Sequence, residues 1–147
     1  MSIVERIQAD QKSALKAGEK ERLSTLRLLS SELKNRRIEL GKDLTDEDAI
    51  EVLMKALKQR RESEEQYARG GRPELAAREA AEAEVIREYL PAQLSGEELD
   101  AMVDDAIAES GATSLKDMGA VMGRLMPKLK GRAEGAAVSA RVKERLG

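Results

Sequence analysis

The stretch EKERLSTLRLLSSELKNRRIEL, residues 19–40, decides the fold class. Its leucines at 23, 26, 29, 33 and 40 fall three, four or seven apart, which puts them on one face of an α-helix. No period-two alternation runs through it, and Gly41 follows as a helix stop. The same reading extends in both directions. On the N-terminal side, Ser2-Ile3-Val4-Glu5 is a capping box, and Ile3, Ile7, Ala14 and Leu15 form an apolar stripe that runs to Ala17-Gly18. On the C-terminal side, Thr45-Asp46-Glu47-Asp48 places acids in a first turn, where the helix dipole favours them. Ile50, Leu53 and Leu57 make the inner face of that third helix, which continues through KQRRESEEQYARGG to Gly70-Gly71.

Pro73 suits the first position of a fourth helix carrying Leu75, Ala83, Ile86, Tyr89 and Leu90, and Pro91 closes it. Ser95-Gly96-Glu97-Glu98 caps a fifth helix with Leu99, Met102, Val103 and Ile107 inside, ending near Gly111. Ser114, with Asp117 three residues on, opens a sixth in which Leu115, Met118, Met122 and Leu125 face inward until Pro127. Val138, Val142 and Leu146 mark the seventh. The expectation is an all-α protein: four longer helices in an N-terminal domain, residues 1–94, and a small three-helix C-terminal bundle, residues 95–147.

Composition agrees and removes much chemistry. Among 147 residues there is no Cys, His, Trp or Phe, and Tyr67 and Tyr89 are the only aromatics. Zinc and iron–sulfur sites lack their thiolate and imidazole ligands, and a Ser-His-Asp arrangement is impossible. No metal, cofactor or catalytic residue is therefore assigned. Carboxylates are plentiful but fall at caps and on charged helix faces, where each has an ordinary structural role. No apolar run approaches a membrane span, the N-terminus is already charged, and the absence of cysteine fits a reducing cytoplasm.

The net charge of −2 hides an uneven distribution. Residues 95–117 carry one basic and seven acidic groups, whereas residues 118–147 carry seven basic and two acidic ones. That basic end contains DMGAVMGRLMPKLKGRAEG, residues 117–135. Gly119 and Gly123 lie four apart on one helix face, at roughly 1 kcal/mol each relative to Ala. They allow a backbone to come close, either a neighbouring helix or an external sugar–phosphate chain. Lys128, Lys130, Gly131 and Arg132 then make a basic turn before a helix start, a suitable setting for phosphate. No GxxxxGK[ST] run is present. A second charged stretch brings Arg36 and Arg37 near Lys58, Arg60 and Arg61, either as helix-stabilising ion pairs or as a partner surface.

Four segments together resemble the YqeY family, which is related to the C-terminal tail of the GatB subunit of glutamine-dependent tRNA amidotransferases: LRLLSSELKNRRIELGK, the KQRRES run leading to Tyr67, IREYLPAQLS at residues 86–95, and above all residues 117–135. Glu134 departs from the pattern, which more often has Asp there. The resemblance implies a tRNA-contacting accessory module, with Gly119, Gly123, Lys128, Lys130, Gly131 and Arg132 as its nucleic-acid site. It also brings the family label of carbon–nitrogen ligase with glutamine as amido-N-donor, although the composition argues against autonomous catalysis. The alternative is an adaptor docking on an amidotransferase or a synthetase.

Overall fold

The computed structural model describes residues 1–147 and contains helices and turns with no strand. The chain divides into two compact units, Met1–Leu90 and Pro91–Gly147. In the first lie α1 (Ile3–Ala17), α2 (Lys20–Leu40), α3 (Asp46–Arg69) and α4 (Pro73–Arg87). In the second lie α5 (Gly96–Ser110), a 3-10 turn (Leu115–Asp117), α6 (Met118–Leu129) and α7 (Gly135–Leu146). No helix is long and apolar enough to cross a membrane.

The starts of α1, α3 and α5 are set by reciprocal caps. Ser2 with Glu5, Thr45 with Asp48, and Ser95 with Glu98 each satisfy two otherwise free amides. The backbone bonds that Glu98 and Asp48 accept hold both carboxyls below their ordinary range. Gly18 and Gly41, both with positive φ, end α1 and α2 and turn the chain back on itself.

The first core gathers Ile7, Leu26, Leu29, Leu53 and Ile86 from all four helices. α3 and α4 make the most extensive contact, and α1 lies against α2. Asp46 at the start of α3 accepts a 2.9 Å bond from the Ile3 amide, so one helix start is capped by another. α4 ends at Arg87 rather than reaching Pro91, but Tyr89 and Leu90 remain buried in the turn that follows. Leu15, expected on the inner stripe of α1, is 61% exposed. Ala14 already fills that level of the interface, and the next position along the helix is rotated away from it.

In the second unit Leu99, Val103, Val121, Leu125, Leu129, Val138 and Val142 meet at the centre of three helices. The expected boundary at 94/95 falls instead after Leu90, because the following residues are tied into the second unit. The Leu94 amide donates to the Arg132 carbonyl at 3.0 Å, and Gln93 Nε2 donates to the Gly131 carbonyl at 2.6 Å. Leu115 is a second correction. Only half of the expected capping box forms: the Asp117 carboxylate accepts from the Thr113 and Ser114 amides, while the Ser114 hydroxyl has no partner, and the segment closes a 3-10 turn that leaves Leu115 52% exposed. Pro127 is a third, because it sits inside α6, which continues to Leu129. Proline there removes the amide that would bond the Gly123 carbonyl. Gly123 is exposed and has no side chain, so water can reach that carbonyl and the helix tolerates the loss.

Candidate nucleic-acid interface

Val121, Leu125 and Leu129 turn one side of α6 into the core. The opposite side carries Gly119, Gly123 and Pro127 at i, i+4 and i+8, all exposed. A Cβ built at Gly119 or Gly123 meets nothing within 4 Å. Packing against another helix of this chain therefore does not explain either glycine. The α6 face is nearly free of side-chain bulk, and Arg124 and Lys128 are the only charged residues of the helix.

Past α6 the chain makes the basic turn. Gly131 has φ +78°, a left-handed conformation that a side chain would strain, and it is buried. Around it Lys128 and Lys130 are exposed. Arg132 is half-buried, with Nε donating to the Ala92 carbonyl at 3.2 Å. The turn is thus fastened from beneath by residues 92–94 while its lysines face solvent. α7 begins immediately afterwards at Gly135. Its N-cap, Glu134, makes no side-chain cap bond, unlike the caps of α1, α3 and α5. The first residues of α7, Gly135, Ala136 and Ala137, are small and exposed. Lysines, a forked guanidinium and open helix amides share this end of the unit, a combination suited to anionic oxygens.

The charge count of residues 118–147 overstates the field there. Arg141 lies 3.2 Å from Asp100, Arg145 lies 3.1 Å from Asp104, and Arg124 approaches Glu109 at 3.9 Å. The acidic α5 thus pairs with the arginines of α6 and α7 within one bundle, and the basic turn at residues 128–132 is separate from those pairs. The matching four-residue spacings of Asp100/Asp104 and Arg141/Arg145 were the available sequence signal for this pairing.

The second charged stretch is internally paired. Arg36 bonds Glu39 at 2.9 Å, Arg37 reaches Asp43 at 3.1 Å, Lys58 sits 4.0 Å from Glu62, and Arg61 bonds Glu65 at 3.2 Å. Arg60 is not on a surface at all. It is 9% exposed and reaches Glu32 of α2 and Glu82 of α4 at 3.6 and 3.7 Å. Beside it, burial and then Glu82 push the Glu79 carboxyl above its ordinary range.

Sequence reading also missed a cluster around Tyr89, which is 2% exposed. Its hydroxyl donates to Asp10, Arg22 bonds Glu88 at 2.6 Å, and the Arg6 guanidinium lies 5.1 Å from the ring centre. Burial first, and Asp10 second, raise the phenol above its ordinary range. The cluster joins α1 and α2 to the end of the first unit. No group of three or more carboxylates is placed to hold a metal ion.

Comparison with known proteins gives a family rather than an activity. A protein of Lachancea thermotolerans named altered inheritance of mitochondria protein 41, mitochondrial, is 36% identical over 110 residues, covering 72% of this chain and 58% of that protein. A protein of the same name from Pyrenophora tritici-repentis is 30% identical over 130 residues, 84% of this chain and 68% of its own. An uncharacterised Schizosaccharomyces pombe protein is 30% identical over 82 residues, 56% of this chain and 67% of its own. The chain thus spans less than two thirds of the first of these relatives. The model of the family described as Yqey-like protein matches residues 4–146, nearly from end to end, and by that match the chain belongs to the YqeY family.

Proposed function

We propose that this protein is an RNA-binding accessory module whose ligand is tRNA, which it holds or presents without catalysing a reaction itself. One observation carries the reading: α6 exposes two glycines that the fold does not need, directly before the basic turn. Gly123, inside the helix, costs it about 1 kcal/mol relative to Ala, Gly119 in the first turn costs less, and no internal contact offsets either. An outside backbone that must come close to the helix supplies the missing reason. Lys128 and Lys130 then meet phosphates, and Arg132, held through Nε, presents its remaining N–H groups as a fork. With two aromatics in the whole chain, recognition works through shape and phosphate contact rather than base stacking. The resemblance of residues 117–135 to the GatB tail supports tRNA as the RNA, and the lack of cysteine suits a reducing cytoplasm.

The test is binding of bulk tRNA at low and moderate salt. The wild type binds in a salt-sensitive way, and Lys128→Glu with Lys130→Glu abolishes binding. Gly119→Ala with Gly123→Ala gives a paired outcome: stability rises by about 0.5–1 kcal/mol, mostly from Gly123, while RNA affinity falls. Salt-independent binding, or affinity that neither variant changes, would refute the reading. Purified protein offered glutamine and Glu-tRNA is expected to form no Gln-tRNA.

A further inference from the structure

α2 turns its leucines into the first core, and its opposite face is open. On that face stand Lys20, Arg27 and Lys34, all exposed, each seven residues from the next. Seven residues are two helical turns, so the row advances by about 10.5 Å per cation. No side chain of the three forms an ion pair or a hydrogen bond, in contrast to those of Arg22, Arg36 and Arg37 elsewhere on the same helix. The helix's own carboxylates, Glu21, Glu32 and Glu39, fall on one flank, so no acid of α2 lies within the row. Between the cations along this row lie Ser24 and Ser31, short neutral groups that donate to oxygen, and Asn35 follows Lys34.

We infer that this face of α2 is a second contact for the RNA phosphate backbone, built in the first unit. The inference rests on the RNA-binding reading above and extends it to a separate surface. Three features favour a phosphate chain over other anionic partners. The cations are regularly spaced and make no ion pair, although Glu74 and Glu82 line the groove beside Lys20 and Asp43 that beside Lys34, and they alternate with hydroxyl donors that suit phosphate and ribose oxygens. Leu28 and Ile38 are exposed but separated by Ser31, Asn35 and Lys34, so there is no continuous apolar stripe for a bilayer. No aromatic lies among them to anchor a protein partner.

The experiment measures tRNA affinity as a function of salt for the full chain carrying Arg27→Gln with Lys34→Gln. The control is Arg69→Gln with Arg72→Gln, which changes net charge equally at the turn between α3 and α4. The α2 variant is expected to bind about tenfold more weakly at low salt, and the slope of log affinity against log salt falls by between one and two. The control changes neither by more than about twofold. Circular dichroism on each variant confirms that the fold is kept. If the wild type binds tRNA and the Lys128/Lys130 variant does not, but the α2 variant matches the wild type, this inference alone fails. If the wild type binds no RNA, both readings fail together. If the wild type binds polyglutamate or anionic vesicles as tightly as tRNA, and the α2 variant loses them equally, the face is a general anion or membrane surface and the inference is overturned.

Discussion

Met1–Leu90 carries charge into its interior at Arg60, and at its edge the buried Tyr89 donates to the half-exposed Asp10. Pro91–Gly147 instead keeps its interior to Leu, Val and Ala and pairs its charges along the rim of α5. Both buried polar side chains, Thr25 and Arg60, belong to the first unit. The first unit also has fifteen buried apolar residues against eight in the second, so it can absorb the desolvation cost of an internal ion pair. The contrast teaches that charge counted along a chain says little about field. In the first unit one arginine, Arg60, is drawn inside, and in the second Arg141 and Arg145 are drawn against a neighbouring helix, so none of them contributes to the field in proportion to its count.

The strongest way to break the comparison is truncation of the cores. Leu29→Ala and Leu125→Ala should each cost about 2–5 kcal/mol in chemical denaturation followed by far-ultraviolet circular dichroism. Because the second core is smaller, Leu125→Ala should unfold its unit at denaturant concentrations that the Leu29→Ala first unit survives. A cost below about 1 kcal/mol for Leu125→Ala would show that something other than the apolar core supports the second unit.

Ion pairs come next in size. Arg60→Ala leaves Glu82 and Glu79 half-buried without their cation and should cost about 2 kcal/mol. Arg145→Ala, whose partners Asp100 and Asp104 lie on the rim, should cost no more than about 1 kcal/mol. Equal costs would erase the distinction between an internal and a peripheral use of charge.

The smallest effects are those of pH, and they run in opposite directions. Glu79 has a raised pKa in the folded state, so its ionisation opposes folding. Stability falls as pH rises through the interval between its unfolded value and the raised one. Glu79→Gln should therefore raise the denaturation midpoint at pH 7 and leave it unchanged at strongly acid pH. Glu98, held low by the Ser95 amide, stabilises above the ordinary carboxylate range, and that support is lost as pH falls through its lowered value. Glu98→Gln should lower the midpoint at pH 7 and not in acid. Two shifts of the same sign would contradict the arrangement.

What the sequence disclosed was local. The leucine spacing of α2, the Ser2 and Ser95 capping boxes and the glycine stops all lie within a few residues of what they determine, and each forms as expected. Pro127 shows the limit of local rules, because its breaking effect depends on whether the freed carbonyl can be satisfied. Arg60 was unreadable because its partners sit 28 residues before it and 22 after it on other helices. At the candidate site the residue types and the turn were legible. That Gly119 and Gly123 face open space was not, since a glycine pair looks the same in sequence whether it packs inward or outward.

The placement of the two tyrosines has a spectroscopic consequence. Tyr67 and Tyr89 both belong to the first unit and the chain has no tryptophan, so ultraviolet emission reports on Met1–Leu90 alone. Tyr89 donates to a carboxylate, which quenches its singlet state, and emission should brighten when that unit opens. Circular dichroism registers helices in both units. Recording the two signals in one titration would separate the melting of the dark unit from that of the bright one, with no label attached.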